Sequence, residues 1–513
     1  MNSPLVSSLK NVPLWRQFAP LAVWVVAGLL GVLIPLQILQ LGYRPGDDAL
    51  CHVGKALSGK SWTEIVVLPD GYGEDEHPGW HAILGAAHHA FDWDADTLVA
   101  FSVAAPFALY WVAMLAWRKR PEALLAALFF ASVVAPDSFM RLLLGRPFVV
   151  VLIVTVSVLQ LWARPPKASL TQVISTIALI GFSVWVHGSW YLFGIVVAAF
   201  ALCGDWRKTL SLAACWLSGT VFGAALTAHP VRYLEQTTTH LFDVFGGQTL
   251  DRMLVTELRA DYGDLSFMMG IGLVLVWRVA RGEWKREVIF NPVFALAALG
   301  WLLGLQVSRF WSDWGFPAAI LWLAMELEEV LEFRLSREKS SAILLAAFVA
   351  AGIYIGTTRD IAGRWTRNLD IVFLSPGDFK LPRIAEWMPG QGGIIYSSSL
   401  EVFFRTFYKN PQADWRYLLG FEVGIMPRAD RKILRDIQRS GFAPEAYAPW
   451  VKRMKADDRL IVLQAWKPGI EELEWYYAGG NTWIGRLPAQ ETGRRRGLAT
   501  QENHVSSGGI PAK

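Results

Sequence analysis

The sequence predicts a polytopic α-helical membrane protein that ends in a small soluble α/β domain. The 513 residues are 53% hydrophobic and 18% charged, and the mean hydropathy is +0.32. A soluble protein of this length is normally less apolar. Apolar segments also recur along the first part of the chain, and tryptophan, with 25 residues, is a type that concentrates at the water–lipid boundary of membrane proteins.

About eleven apolar segments are candidates for membrane spans, each of which needs about 20 residues in a perpendicular helix. Several are shorter, so we expect them to be tilted, extended by flanking aromatic residues or partly re-entrant. The first follows Lys10 and Arg16 as a signal peptide would, but it is long enough to span and no small-residue cleavage site follows, so we interpret it as a retained helix. The segments are 21–41, 98–117, 123–135, 148–162, 170–185, 190–203, 210–227, 265–277, 288–307, 316–327 and 341–355.

Lysine and arginine are concentrated in one alternating set of short loops, which the orientation rule assigns to the cytoplasm. These loops, among them 118–120, 207–208 and 278–286, are basic and otherwise featureless. The N-terminus is then cytoplasmic, the other loops face the periplasm or the extracellular space, and an odd number of spans puts the chain after Ile355 outside as well. The acids, histidines and isolated arginines of interest therefore fall on the outer side.

Three units follow from this pattern. Residues 1–357 form the membrane module, with 42–97 as its large first outer loop. Residues 358–490 form the extracytoplasmic α/β domain, and residues 491–513 are typical of a disordered tail. Within the soluble domain we expect strands at 370–374, 393–396 and 459–463, helices at 429–440 and 444–453, and a hairpin at 474–485 that turns through Gly479-Gly480-Asn481.

The first outer loop contains an acidic pair, Asp47 and Asp48, directly before a helix-like run. An N-cap explains one aspartate, because its carboxylate accepts from unpaired N–H groups at the helix start, and it fits Asp47 better than Asp48. On that helix Asp48, His52 and Lys55 share one face. A solvated polar face and a functional site explain this face equally well.

A second cluster, Glu74-Asp75-Glu76-His77, precedes a helix that starts at a proline, which is a sound helix start by itself. His77 and His81 are four residues apart, but a Pro-Gly pair separates them and no third ligand is identifiable, so we do not expect a transition-metal site. Carboxylates of both helices could instead converge on Mg²⁺ or Mn²⁺. No other cofactor is indicated.

Isolated polar residues in the later outer loops include Arg141, Arg146, His229 and Arg309. We interpret Arg141 as an interfacial anchor whose charge reaches water. Arg309 is the only basic residue of a short outer loop, where the orientation rule disfavours one, so we assign it a function: a guanidinium can hold a phosphate through two hydrogen bonds. In the soluble domain, the segment 415–417 (Trp-Arg-Tyr) could stack on a sugar, but an exposed turn leading into a buried element is favoured.

The arrangement resembles the C-type (GT-C) superfamily of integral membrane glycosyltransferases, which use polyprenyl-phosphate-linked sugars. The resemblance rests on a single span before the acidic pair Asp47-Asp48, a large first outer loop, and a soluble domain after the last span. Further matching elements are Trp62-Thr63-Glu64, His77-Pro78-Gly79-Trp80, Arg146-Pro147 and Arg309-Phe310. The family often has an Asp-Glu or Glu-Asp pair where this chain has two aspartates, so either aspartate could be the base.

The resemblance implies transfer of a sugar from a polyprenyl-phosphate donor to a glycan, lipid or protein acceptor, with inversion, in cell-envelope polysaccharide or glycoconjugate biosynthesis. Asp48 or Asp47 would take the proton of the acceptor hydroxyl. Arg309, with Arg146 and His229, would bind the phosphate. Asp75 or Glu76 would position the acceptor or a metal, and His77 is grouped with these substrate-binding residues. Membrane lipid is the expected surrounding, and no nucleic-acid partner is expected.

Other functions remain open from the sequence. A transporter or flippase of lipid-linked glycans predicts ionisable residues in the middle of the spans, which here are nearly free of them. A non-catalytic scaffold that presents the soluble domain would leave the outer acids dispensable. An outer-face glycan polymerase or ligase would rely on arginine and histidine in a late large loop, for which 229–264 is the candidate.

Overall fold

The computed structural model of the protein describes residues 14–69, 71–116, 118–163, 168–246, 264–334, 339–357, 365–366 and 382–488. Within these ranges a helical bundle precedes a small α/β domain. The bundle consists of α1 (Leu14–Gln40), α2 (Asp48–Ser58), α3 (Trp62–Ile65), α4 (Pro78–Phe91), α5 (Ala95–Leu115), α6 (Pro121–Val134), α7 (Pro136–Met140), α8 (Phe148–Ala163), α9 (Leu170–Val186), α10 (Phe193–Leu202), α11 (Trp206–Ala225), α12 (Pro230–Gly246), α13 (Leu265–Ala280), α14 (Pro292–Gly304), α15 (Ser308–Phe310), α16 (Phe316–Arg334) and α17 (Lys339–Gly356).

Two helices of the described chain are long and apolar enough to cross a membrane, Phe18–Gln40 and Ala95–Leu115. The number rises to four if two bent helix pairs, α6 with α7 and α11 with α12, each count as one span. The first bend is 115° and the second 116°, and each falls at a proline, Pro136 or Pro230. Proline disfavours helical geometry in the residue before it, which explains both breaks. The count of about eleven spans therefore stays a prediction, and the expected outer loop 229–264 begins with a helix.

The C-terminal domain is built on a five-stranded sheet. Its strands are β3 (Ile394–Ser397), β4 (Arg416–Tyr417), β5 (Arg459–Leu463), β6 (Glu474–Gly479) and β7 (Thr482–Arg486), in the order β4-β3-β5-β7-β6. β3 is parallel to β4 and β5, whereas β7 is antiparallel to β5 and β6. Its helices are α18 (Pro382–Ala385), α19 (Leu400–Lys409), α20 (Arg428–Arg439) and α21 (Ala448–Arg453).

The described part of this domain agrees with the elements expected from the sequence. The hairpin between β6 and β7 turns through Gly479, Gly480 and Asn481, whose φ angles are 95°, 53° and 61°. Such left-handed angles favour glycine and asparagine, and for this reason the sequence predicts the turn. The expected helix 444–453 is a 3₁₀ turn, Pro444–Tyr447, followed by α21. The expected strand 370–374 and the tail 491–513 lie outside the described residues, and the domain boundaries stay predictions.

The C-terminal domain packs directly on the first outer loop. Two short strands, β1 (Arg44–Pro45) and β2 (Trp365–Thr366), pair in antiparallel orientation. The ring of Phe407 in α19 lies against α2, 3.0 Å from where a Cβ on Gly54 would be. Lys60 Nζ donates to the Ala413 carbonyl at 2.7 Å. The loop and the domain therefore share one hydrophobic core, which includes Cys51, Trp62, Ile65, Phe403 and Ile461.

The Trp415–Tyr417 segment belongs to this interface. Trp415 is 5% exposed and Tyr417 is 2% exposed, and the indole of Trp415 donates to the Tyr417 hydroxyl at 3.0 Å. The favoured interpretation, a turn leading into a buried strand, therefore agrees with the structure. These two rings are packed inside the domain and present no stacking face for a sugar.

Arginines of the loops assigned to the cytoplasm contact the C-terminal half of α16. Arg278 is 2% exposed and pairs with Glu326 and Glu329 of α16. Arg118 lies 3.5 Å from Glu328 of the same helix. The expectation that these loops are featureless is wrong, because acids at the end of an apolar helix bind several of their arginines. Which side of the membrane this end faces stays a prediction.

Candidate active site

The two aspartates of the acidic pair are held by one buried arginine. Arg146 Nη2 donates to Asp47 Oδ2 at 3.0 Å, and Arg146 Nε lies 3.1 Å from Asp48 Oδ2. Arg146 is 8% exposed, whereas the Asp48 side chain keeps 31% of its surface. A charge as deeply buried as Arg146 needs such partners. The arrangement thus fixes both carboxylates and leaves Asp48 the more accessible of the two.

Local backbone geometry brings Arg146 to this position. The preceding Gly145 has φ +70°, and a Cβ on it would lie 3.0 Å from the Cβ of Ala49 in α2. Glycine is therefore required both for the turn and for the close approach of the two segments. Pro147 follows at once, and α8 begins at Phe148. The turn between α7 and α8 is thereby pressed against the start of α2, where the aspartates are.

Helix capping does not account for Asp47, contrary to expectation. Asp47 occupies the N-cap position of α2, but its side chain makes no capping hydrogen bond, and its backbone angles are −129° and −130°. The physical reason is Arg146, because a hydrogen bond between two charged groups is about twice as strong as one between neutral groups. The carboxylate faces the guanidinium and leaves the helix start uncapped by this residue.

A series of hydrogen bonds links Asp75 through His81 to His52 within the first outer loop. Asp75 Oδ2 is 2.6 Å from His81 Nδ1, and His81 Nε2 is 2.9 Å from His52 Nδ1. The other Asp75 oxygen accepts from the backbone N–H of His77 at 3.0 Å and from the indole of Trp62 at 3.3 Å. Both Asp75 oxygens are thus engaged by protein groups. The predicted contact of Asp75 with an acceptor or a metal stays a prediction.

The carboxylate and the histidines of this hydrogen-bonded cluster differ in protonation state. Burial acts to raise the pKa of Asp75, but the neighbouring His81 outweighs it and holds the pKa well below its usual range. Burial, with the nearby histidines, lowers the pKa of His52 well below its ordinary value of 6.5, and the pKa of His77 falls to about 4 for the same reasons. Asp75 is therefore an anion at neutral pH, and His52 and His77 are uncharged.

Glu76 belongs to a different contact, which joins three parts of the chain. Its two carboxylate oxygens lie 2.9 and 3.0 Å from Nδ1 of His240 in α12, and His240 Nε2 lies 3.2 Å from Glu422 of the C-terminal domain. Gln236, one turn before His240, also donates to Glu76 at 3.3 Å. Burial acts to raise the pKa of Glu422, but His240 outweighs it and lowers the pKa overall. Sequence reasoning missed His240 and Glu422, and the four-residue spacing of Gln236 and His240 was the one local signal.

Arg309 lies beside another buried ion pair. Arg141 Nε and Nη2 donate to Asp313 Oδ1 at 2.9 and 2.8 Å, and Arg309 Nε lies 3.6 Å from Asp313 Oδ2. Arg141 is therefore not the interfacial anchor expected from the sequence, because the buried carboxylate of Asp313 binds it. The Arg309 side chain is 38% exposed. Its charge contributes to lowering the pKa of Glu422 and of His187, so it acts on the same region as Glu76 and His240.

The three predicted phosphate ligands occupy three separate ion pairs. Arg146 pairs with the two aspartates, Arg309 pairs with Asp313, and His229 lies 3.2 Å from Glu74 with 58% of its side chain exposed. Within the described ranges, no three histidine, cysteine, aspartate or glutamate side chains are grouped so as to hold a metal ion. The expected carboxylates are divided among three partners: Arg146 holds Asp47 and Asp48, His81 holds Asp75, and His240 holds Glu76. A site for Mg²⁺ or Mn²⁺ stays a prediction.

The comparisons with known proteins concern the fold. No protein-family model and no curated protein matches the sequence. The structure is similar to ArnT from Cupriavidus metallidurans bound to undecaprenyl phosphate, with a TM-score of 0.55 and 14% identity over 93% of this chain and 98% of ArnT. It is also similar to the Archaeoglobus fulgidus oligosaccharyltransferase in the apo form, with a TM-score of 0.54 and 12% identity over 88% of this chain and 70% of that chain. The same enzyme tethered to an acceptor peptide with the NVT sequon gives a TM-score of 0.51 at 12% identity, over 87% of this chain and 69% of that chain.

Both solved proteins are GT-C glycosyltransferases, so the GT-C fold expected from the sequence is confirmed. The similarity extends over the bundle and the C-terminal domain, because it covers 87–93% of the chain.

Proposed function

We propose that this chain, which has the GT-C fold, is an integral membrane glycosyltransferase that transfers a sugar from a polyprenyl-phosphate donor to the hydroxyl group of an acceptor. Its main support is the pair of partly exposed carboxylates held by the buried Arg146 at one end of an apolar bundle. The undecaprenyl phosphate bound by ArnT and the acceptor peptide tethered to the oligosaccharyltransferase support the two substrate classes. The acceptor class for this chain is a glycan, a lipid or a protein.

Asp48 is the proposed general base, since it is the more accessible member of the pair. As the acceptor oxygen bonds to the anomeric carbon, the carboxylate takes its proton, and the bond from that carbon to the phosphate oxygen breaks with its electron pair going to the phosphate. Direct displacement inverts the anomeric centre. The phosphate is a good leaving group, so no general acid is needed. A positioned base is worth about 10²–10⁴ in rate.

Arg309 is the proposed ligand of the donor phosphate. Its guanidinium is 38% exposed and is anchored 3.6 Å from the buried Asp313, so it can meet a ligand that arrives from outside the bundle. Cations that stabilise the charge on a departing phosphate contribute at least as much to the rate as the base does. Arg146, by contrast, is proposed to orient the aspartates.

The reaction is proposed to occur on the extracytoplasmic face. The acidic pair, Arg309 and the C-terminal domain lie at one end of the bundle, and the basic loops around Arg118 and Arg278 lie at the other. Short basic loops are retained in the cytoplasm, which favours the outside for the site. The long donor lipid would then remain in the bilayer beside the bundle.

The test is sugar transfer in membranes that contain the full chain and a radiolabelled polyprenyl-phosphate sugar. We expect Asp48→Asn to lower the rate about 10²–10⁴-fold, and Asp47→Asn to lower it less. Asp92→Asn is the matched control, because Asp92 is exposed at the end of α4 with φ 53°, a conformation that asparagine also adopts. Parental rates in both Asp47 and Asp48 variants would exclude this mechanism and favour a flippase or a scaffold.

A further inference from the structure

Two acidic side chains from distant parts of the chain contact opposite nitrogens of one imidazole. His240 Nδ1 in α12 lies 2.9 and 3.0 Å from the carboxylate oxygens of Glu76 in the first outer loop. His240 Nε2 lies 3.2 Å from Glu422 Oε2 in the C-terminal domain. The side chains of Glu76, Glu422 and His240 are 16%, 23% and 12% exposed. We call this largely buried group the His240 cluster, and the proposed transfer leaves it without a role.

The protonation state of His240 follows from its two partners. An ionised carboxylate only accepts hydrogen bonds, so each ring nitrogen that faces one must carry a proton, and an imidazole with both protons is a cation. Burial acts to raise the pKa of Glu422, but His240 outweighs it and lowers the pKa overall, as a neighbouring positive charge does. The His240 cluster therefore holds one cation between two anions.

The cluster joins α12, the first outer loop and the C-terminal domain at one place. One turn before His240, Gln236 Oε1 accepts from two consecutive backbone N–H groups of the loop, both at 2.9 Å. On the other side, the turn Val423–Ile425 follows Glu422 directly, and a Cβ on Gly424 would lie 3.7 Å from His240 Nε2. The imidazolium is thus the group that contacts both the loop and the domain from α12.

Glu76 connects the His240 cluster to the segment that holds the acidic pair. Its backbone carbonyl accepts from the N–H of the residue after His187 at 2.9 Å, and the ring of the next residue, His77, lies 4.6 Å from the His187 ring. The His187 ring packs edge-on against Phe148 at 5.4 Å. Phe148 begins α8, two residues after Arg146. A displacement of Glu76 therefore changes the packing against the turn that carries Arg146.

We propose that His240 is a positioning residue for the glycosyl transfer: its cation holds α12 and the C-terminal domain against Glu76 and thereby keeps the first outer loop in its active arrangement. This inference rests on the proposed function. Without the cation, Glu76 and Glu422 are two partly buried carboxylates that face each other, and both desolvation and like charge disfavour that state. The loop and the domain then separate at this contact, while the packing of α19 on α2 remains.

The first test compares His240→Gln with the parental protein in the sugar-transfer assay. Glutamine is uncharged and donates from a single nitrogen, so it cannot serve two carboxylates on opposite sides. We expect kcat to fall about tenfold or more, towards the roughly 10²-fold loss of a misplacement near 1 Å. Glu235→Gln is the matched control, because Glu235 is exposed on the same helix and should keep the parental kcat.

A second substitution separates the role of charge from a loss of packing. Adding Glu422→Gln to His240→Gln removes one of the two unpaired carboxylates, so the double variant should transfer sugar faster than His240→Gln alone. A side chain that only fills space would show no such rescue. Parental kcat in His240→Gln, or a double variant no faster than the single one, would overturn the positioning role and leave the proposed function intact.

Two further measurements on the full-length protein in detergent need no substrate. Histidine-selective ¹⁵N NMR should show protons on both ring nitrogens of His240 at neutral pH, and hydrogen exchange in His240→Gln should increase in 73–76 and 423–425 but not in α19. An unprotonated His240 nitrogen, or unchanged exchange in both segments, would overturn the inference even if every variant were inactive. A parental protein that is inactive with every donor, yet gives both expected results, would count against the proposed function alone.

Discussion

Arg141 donates two hydrogen bonds, from Nε and Nη2, to the same carboxylate oxygen of Asp313. The second Asp313 oxygen is directed to Arg309, 3.6 Å away. One buried acid thus binds an arginine inside the bundle and steadies another at its surface. Removing this acid should therefore change both stability and donor binding.

Asp313→Asn is expected to destabilise the protein by about 3–5 kcal/mol, because it leaves the mostly buried charge of Arg141 without its partner. It should also raise KM for the donor, since Arg309 loses its anchor. Thermal unfolding in detergent and steady-state kinetics measure the two effects. Glu283→Gln is the control: its pair with Arg281 is about half exposed, so the loss should stay below about 1 kcal/mol. Equal stability of the two variants would contradict the buried pair.

Arg146→Lys is expected to lower kcat by about 10²-fold, the scale of a misplacement near 1 Å. An ammonium is a point charge and cannot hold both Asp47 and Asp48 as the guanidinium does. The net charge is unchanged, so a loss of rate would reflect geometry. Arg207→Lys, at an exposed position of α11, should keep the parental kcat. A parental rate for Arg146→Lys would show that holding the two carboxylates together is dispensable.

Gly300→Ala is expected to destabilise the protein by about 1–3 kcal/mol through overpacking. A Cβ there would lie 2.4 Å from the Cα of Gly315, in the π-helical turn that also carries Asp313. Activity should fall as well, because the turn must shift. Gly28→Ala in α1 is the matched control, since no atom lies within 4 Å of its added Cβ, and alanine favours a helix by up to about 1 kcal/mol. If both variants melt at the same temperature, the close approach at Gly300 is wrong.

Stability should decrease as the pH falls from about 6.5 towards 4. In the unfolded chain the histidines bind protons near their ordinary pKa of 6.5, whereas burial lowers the pKa of His77 to about 4 and also lowers that of His52. The unfolded state therefore binds more protons in this window, and the free energy of unfolding decreases as the pH falls. Asp75 and Glu422, whose pKa values are also lowered, extend the loss to more acidic pH.

Thermal unfolding between pH 8 and pH 4 checks this dependence. His77→Gln should flatten the decrease between pH 6.5 and 4, because the glutamine does not titrate. His89→Gln, at an exposed position, should leave the slope unchanged. A melting temperature that is constant from pH 6.5 to pH 4 in the parental protein would contradict the buried, uncharged histidines.

Local patterns in the sequence were sufficient for the fold class and for single elements. Apolar runs and the distribution of arginine indicated a bundle, and Gly479-Gly480-Asn481 indicated the hairpin turn because few other residues adopt those φ angles. The acidic pair was also found, since two adjacent aspartates exceed what a helix start requires. These features depend on residues that are neighbours in the sequence, so a single sequence is enough to predict them.

The partners of the site residues could not be predicted, because they are distant in the sequence. Asp47 and Arg146 are 99 residues apart, so a capping rule that considers only neighbours assigned Asp47 to the helix. Arg141 looks the same in the sequence whether it reaches for water or for Asp313, 172 residues later. His240 is 164 residues from Glu76, and its role depends wholly on that contact. In each case tertiary packing selects a partner that competes with the local one.

The packing of the C-terminal domain on the first outer loop also sets the order in which the molecule can mature. Lys60 can donate its hydrogen bond to the Gln412 carbonyl only after Gln412 has been synthesised, 352 residues later. At about 5–20 residues per second, that delay is roughly 20–70 s. Throughout it, Trp62, Ile65 and Val66 are without the domain that buries them. We infer that a nascent chain performs no chemistry before this part of the C-terminal domain has been synthesised, because the loop with the proposed base lacks its packing partner until then.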